Sequence, residues 1–279
     1  MTLTLNDLSV PAPPPGPADW NDEGVAVHRG LIPPTVIDPY RAAWKDAHGF
    51  REVVYPPDAV GVPGSHTGRL VATQPHGWNY ATPYRDVPEL LDLVCDPALA
   101  EILEGLLGEP AGVHLNLSGW VTTERDWHQD TYLNPPEVGD AYAAVWIALG
   151  HVTVESGPFQ YVPGSHRWHT LTRDLIARHV DTTDPNWPKH TETILTPLVE
   201  KEIAERGDEV VSHLPMYGDV LIWHGRLYHR GSRAQLPGAY RPALIAHYSG
   251  IHHRPDMPMA VQHPAGGWYF PIDGHQPVR

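Results

Sequence analysis

Gly218-Asp219-Val220-Leu221-Ile222-Trp223-His224-Gly225-Arg226-Leu227-Tyr228-His229-Arg230-Gly231-Ser232 is the stretch on which the reading turns. Asp219 to Trp223 is a short β-branched and aromatic run opened by Gly-Asp, which predicts a strand. Two histidines follow it, His224 and His229, and either could supply a metal ligand at a strand end. Twelve positions beyond His229 lies Arg241, leading into Pro242 and the strand-like run Ala243 to Tyr248.

Upstream, Trp127-His128-Gln129-Asp130 offers the complementary pair. A His-x-Asp on a strand turns both side chains to one face, because side chains alternate with a period of two. Imidazole and carboxylate on one side can hold a divalent iron. A third ligand from a distant strand completes a two-histidine, one-carboxylate facial triad with open coordination positions. An arginine on the strand next to the distal histidine, Arg241, can grip a carboxylate through paired hydrogen bonds. That suits the remote carboxylate of a keto-diacid chelating the metal through its other end. A second His-x-Asp, His179-Val180-Asp181, has no strand around it and is the match that composition alone would produce.

The rest of the chain frames this constellation. Helices are expected over Asp38 to His48, from Val87 to Val94, and from Pro97 to Leu107 with Gly108 as the stop. Strands are expected at Gly112–Val121, Ala141–Leu149 and Phe159–Val162. Residues 167–207 form a long polar excursion with helical character, expected to cover one mouth of the sheet. Five prolines between Pro11 and Pro17 mark residues 1–19 as a flexible Pro-rich N-terminal arm, with residues 20–279 as a single domain.

Composition excludes several classes. The net charge of −14 over 279 residues argues against a broad nucleic-acid surface. No run is apolar and long enough for a membrane helix, and no basic-then-apolar start marks a secretory signal, so a cytoplasmic protein is expected. The lone Cys95 excludes a disulfide framework.

Taken together, the ordered features resemble the phytanoyl-CoA dioxygenase family of iron(II)- and 2-oxoglutarate-dependent oxygenases. They are Trp20 to Arg29, Pro97 to Gly108, Trp127 to Asp130, Gly157-Pro158-Phe159 with Val162 to His166, the Gly-Asp strand, and the His229 and Arg241 pair. The resemblance implies a mainly β fold with flanking helices (α+β) around a double-stranded β-helix, a jelly-roll or cupin-like core. It implies iron ligands His128, Asp130 and His229, and Arg241 as partner of the 2-oxoglutarate C5 carboxylate. It assigns Ser232 as a hydroxyl assisting that carboxylate, Trp146 as an aromatic flanking the cosubstrate, and Asn116 or Ser118 as a polar contact to it. The cofactors implied are Fe(II), 2-oxoglutarate and O2.

His224 competes with His229; the spacing to Arg241 and the following Gly-Ser favour His229. His166 reads as a turn residue, and Trp120, Trp168 and Trp223 as core. His114, His247, His252 and His253 show no usable partner spacing. Asp130 disfavours halogenation, since related halogenases have Gly or Ala there. The expected reaction is hydroxylation of an unactivated C–H of a small molecule, a natural-product intermediate or amino-acid derivative. Desaturation, cyclisation, demethylation, or a non-catalytic β-helix binding protein are the alternatives. Trp78 to Tyr80, Thr131 to Asn134 and residues 167–207 are the candidate substrate-lining segments, and Arg226, Arg230 and Arg233 read either as a solvated cluster or with one of them as receiver of an acidic group. The oligomeric state is left open.

Overall fold

The computed structural model describes residues 18–48, 78–80, 87–122, 124–236 and 238–271. Most of the expected N-terminal arm, residues 1–17, lies outside the described residues. Helix α1 (Ala18–Glu23) begins two residues inside that arm and leads into β1 (Val25–His28) and α2 (Pro34–His48). Strand β2 (Trp78–Tyr80), α3 (Glu89–Val94) and α4 (Pro97–Leu107) follow. The ends of α4 explain its length. The Asp96 carboxylate accepts from the Ala98 and Leu99 N–H groups at 2.9 and 3.2 Å. Gly108, at φ 76°, takes the left-handed conformation that closes the helix.

Ten further strands complete the core. They are β3 (Ala111–Gly119), β4 (Arg125–His128), β5 (Tyr142–Ala148), β6 (Phe159–Tyr161), β7 (Val211–His213), β8 (Val220–His224), β9 (His229–Gly231), β10 (Ala243–Gly250), β11 (Val261–Gln262) and β12 (Trp268–Tyr269). The large sheet has the order β1-β8-β5-β10-β3-β12-β11, with β2 also on β3. The small sheet has the order β4-β9-β6-β7. This is a double-stranded β-helix with flanking helices, as the resemblance implied.

Alternation along the large sheet sorts its side chains. Val145 and Ile147 of β5, Val220 and Ile222 of β8, and Leu244, Ala246 and Tyr248 of β10 pack with the helices around Tyr40, Trp44, Leu99 and Leu103. The opposite face carries Tyr142, Ala144 and Trp146 of β5, and Leu221 and Trp223 of β8. These pack with Phe159 and Tyr161 of the small sheet to fill the space between the sheets.

The excursion after Arg167 is helical, with α5 (Arg173–Ile176) and α6 (Trp187–Arg206). It does not cover a mouth. Trp187, Leu195 and Val199 pack with Trp127 and Tyr228 against the outer face of the small sheet. An ion pair from Arg125 of β4 to Glu192 at 2.8 Å fixes it there, and within the excursion Glu202 contacts His169 at 2.7 Å and pairs with Arg206 at 2.6 Å. Among the described residues, no helix is long and apolar enough to cross a membrane.

Candidate metal centre

β4 and β9 run antiparallel with His128 directly opposite His229. Their rings lie 4.1 Å apart between centroids. Each ring is oriented by the carbonyl two residues earlier. His128 Nδ1 donates to Asp126 O at 2.7 Å and His229 Nδ1 to Leu227 O at 2.9 Å. A carbonyl can only accept, so each Nδ1 carries the proton and each Nε2 presents its lone pair. Burial pushes both histidines below the ordinary imidazole range, for His128 helped by the charge of Arg125, so both are neutral ligands near pH 7.

Asp130 reaches the same point by a different route from the one alternation predicts. β4 stops at His128, and Asp130 lies beyond it, leading into the 3-10 turn Thr131–Leu133. Its N–H donates to Gly225 O at 2.8 Å, which ties the motif to the β8–β9 loop. Asn134 Nδ2 donates to its carbonyl at 3.1 Å. The carboxylate lies 3.7 Å from each histidine, Oδ1 toward His128 Nε2 and Oδ2 toward His229 Nε2. Burial alone would raise this carboxyl, but His229, His247, Arg125 and the Trp223 N–H together hold it below the usual carboxylate range.

His128, Asp130 and His229 are all buried, and their candidate ligand atoms lie within 4.8 Å of one another. Asp130 Oδ1 is buried with no hydrogen-bond partner among the described residues, an expensive arrangement unless a cation meets it. Two imidazoles and one carboxylate are the donor set for a six-coordinate iron with open positions. The residues present therefore fit the metal that the resemblance implies.

His224 is not part of this cluster. It faces the opposite side of β8, with its ring 5.4 Å from Trp20 and 5.3 Å from His166.

Arg241 is buried at 3% exposure, two residues before β10 begins. It therefore leads into β10 of the large sheet, rather than sitting on a strand beside His229 in the small one. Its guanidinium lies 4.6 Å from the Trp146 ring, and NH1 donates to Gly157 O at 3.1 Å. Nε has no partner among the described residues. Burial lowers its pKa to about 9, which still leaves it protonated at neutral pH. Gly157 is required here: at φ +75° a Cβ would stand 2.6 Å from Ser232 O.

The remaining expected residues divide. Trp146 lies beneath Arg241, as above. Ser232 sits beside this corner, but its hydroxyl donates to Pro158 O at 2.7 Å. Asn116 pairs with Ala246 and Ser118 with Leu244, so both face the helices; the Ser118 hydroxyl is hydrogen-bonded to that of Tyr40. Neither is a contact to the metal side, because one period-two count separates the faces. Leu115 and Leu117 hold the interior positions of β3, opposite His247 and Ile245. Arg226 is buried against Asp140 at 3.0 Å, and Arg230 stacks on Trp127, 4.6 Å from its ring centroid, behind the small sheet. Neither is placed to receive a substrate acid. Residues 167–207 are mainly a backing layer rather than a lining.

Three residues of the site were not anticipated. Trp223 Nε1 donates to Asp130 Oδ2 at 3.0 Å. Tyr142 is hydrogen-bonded through its hydroxyl to His247 Nδ1, and the Asp130 carboxylate beside it contributes to raising its pKa, after burial. A signal existed for two of them: Trp223 shares strand parity with Leu221, and His247 shares it with Arg241.

A family model described as phytanoyl-CoA dioxygenase matches residues 20–241, and the chain belongs to that family. A probable phytanoyl-CoA dioxygenase of Caenorhabditis elegans is 23% identical over 176 residues, covering 60% of this chain and 52% of the relative. The chain thus spans about half the length of that curated relative. Among solved structures, EctD from S. alaskensis with bound Fe superposes with a TM-score of 0.56 at 19% identity, over 88% of this chain and 80% of that one. The epimerase SnoN from nogalamycin biosynthesis, solved with Fe3+, alpha ketoglutarate and nogalamycin RO, gives 0.56 at 18% identity over 94% and 93%. The carbocyclase SnoK of the same biosynthesis gives 0.52 at 22% identity over 90% and 87%. At these identities the structural likeness speaks for the fold.

Proposed function

We propose that residues 20–279 form a single iron(II)- and 2-oxoglutarate-dependent dioxygenase domain that hydroxylates an unactivated C–H bond of a small molecule. One oxygen atom of O2 enters the product and the other enters succinate, with release of CO2. The observation that carries this reading is the pairing of a buried His128-Asp130-His229 cluster with a buried, cationic Arg241 that has no ion-pair partner among the described residues.

His128 Nε2, His229 Nε2 and Asp130 Oδ1 would hold the iron. Bound there, the iron supplies oxygen activation and the oxidising power for C–H cleavage. The chain supplies position and exclusion of water. Arg241 offers its free guanidinium edge to the far carboxylate of the cosubstrate, and Gly157 O fixes the other edge. Trp146 stacks against the guanidinium and keeps that corner dry. On the β3–β10 side, Leu115, Leu117 and Ile245 face inward yet keep partial exposure. That favours a substrate with an apolar face lying there.

The similar structures named for an epimerase and a carbocyclase indicate that this architecture serves more than one oxidative outcome. The retained Asp130 carboxylate speaks against halogenation, and hydroxylation is the outcome proposed here.

The test is anaerobic. Iron(II) and 2-oxoglutarate added to metal-free protein are expected to give the visible charge-transfer band of the chelate, and Arg241→Ala is expected to abolish it. Iron binding without the band would refute the cosubstrate assignment in favour of a cupin-like metal enzyme. No iron binding would leave a non-catalytic β-helix protein. A varied small-molecule panel, read by band shift and by mass of the product, then separates hydroxylation from desaturation or cyclisation. Turnover of phytanoyl-CoA alone would refute the small-substrate reading.

A further inference from the structure

We infer that Trp223 is a positioning residue that fixes Asp130 as a one-oxygen iron ligand, an inference that rests on the iron and 2-oxoglutarate reading of the site. Trp223 is buried in β8, flanked in register by Val25 of β1 and Ala144 of β5. Its ring packs against Phe159 at 4.8 Å and the His229 ring at 5.3 Å. The indole therefore has no room to swing, and its direction is set by two sheets at once.

Its N–H is aimed at Asp130 Oδ2, at 3.0 Å, while Oδ1 is left without a partner. The two carboxylate oxygens are thus unequal before any metal arrives. One is neutralised by a fixed donor, and the other is bare. A carboxylate that bound iron through both oxygens would fill one of the three positions a facial triad leaves open. A chelating 2-oxo acid needs two of them and O2 needs the third. Trp223 preserves that count by occupying Oδ2. Core filling alone would not demand the N–H: the buried Trp20 and Trp146 leave theirs without partners among the described residues.

The experiment compares the wild-type protein with Trp223→Phe, which keeps an aromatic ring and removes the donor. Trp20→Phe serves as a control for loss of a buried indole elsewhere. Each is titrated anaerobically with iron(II), then with 2-oxoglutarate, and its melting temperature is recorded. W223F is expected to lose about tenfold in iron affinity, the scale seen when an outer partner of a metal ligand is removed. Its charge-transfer band is expected to shift and its 2-oxoglutarate affinity to fall, while W20F keeps all three at wild-type values. A folded W223F with wild-type iron affinity and an unshifted band would overturn the inference, whatever its melting temperature. Should W223F fail to fold, Trp223→Met fills much of the space with no N–H or O–H donor and is judged by the same two outcomes. A wild-type protein that binds iron but gives no band would refute the cosubstrate reading alone. The iron affinity of W223F would then still decide the role of Trp223.

Discussion

The two sheets are backed in opposite ways. Behind the large sheet, α2, α3 and α4 lay an almost wholly apolar layer, with Trp44, Leu99, Leu103 and Leu106 against Val145, Ile222 and Leu244. Behind the small sheet, α6 brings an apolar patch crossed by buried charges: Glu192 on Arg125, and Glu202 shared by His169 and Arg206. Both histidines of the candidate metal cluster stand on the small sheet. Apolar packing is nondirectional and tolerates repacking, whereas a buried ion pair has one good geometry and is costly to break. The directional backing lies where ligand position matters most.

This contrast can be broken in graded steps. His229→Ala should abolish iron binding, measured by metal content after reconstitution, whereas His224→Ala on the large sheet should retain it; the reverse result would exchange their roles. Leu103→Ala, in the apolar backing, should cost about 3 kcal/mol in chemical denaturation and leave iron affinity unchanged. Glu192→Ala should cost less in stability, about 2 kcal/mol because Arg125 keeps partial solvent access. It should nevertheless weaken iron binding several-fold, since Arg125 lies on the β4 strand that ends in His128. Equal effects of these two variants on iron would erase the distinction between the layers.

A further test is the pH dependence of stability. Burial lowers His166 and His213 to about 4 from 6.5. Between those values the unfolded chain binds protons that the folded chain refuses, so stability should fall as pH drops from 6.5 toward 4. Asp219 behaves differently. Its carboxylate accepts from Gly30 N–H at 2.8 Å and Met216 N–H at 2.9 Å and is held below the ordinary range. Its contribution is complete above the usual carboxylate pKa and is lost only as pH falls through its depressed value. Denaturant midpoints measured across pH should therefore show the histidine slope first, and His213→Asn should flatten it.

Much of this was legible in the sequence, for reasons that can be named. The strand runs and the α4 stop at Gly108 are local, and the structure follows them closely. The grouping of His128, Asp130 and His229 was legible because these residues have no shared structural reason to coexist. Three things were not legible. Alternation could not foresee that β4 ends at His128, because that depends on Gly225 O capturing the Asp130 N–H from another element. The face of Asn116 depends on its pairing with Ala246 on the helix side of β10, which alternation along β3 alone does not specify. The address of Arg241 depends on sheet assignment, which spacing along the chain does not encode.

That address has a mechanical meaning. His128 and His229 stand on one leaf of the sandwich and Arg241 leads into the other, with Trp146, Phe159 and Trp223 packed between the leaves. The aromatic wedge works as a spacer whose thickness sets the span from metal to guanidinium. Under the proposed function, a diacid reaching from the metal to the guanidinium would be selected by length, because that spacing changes only by unpacking the middle of the protein.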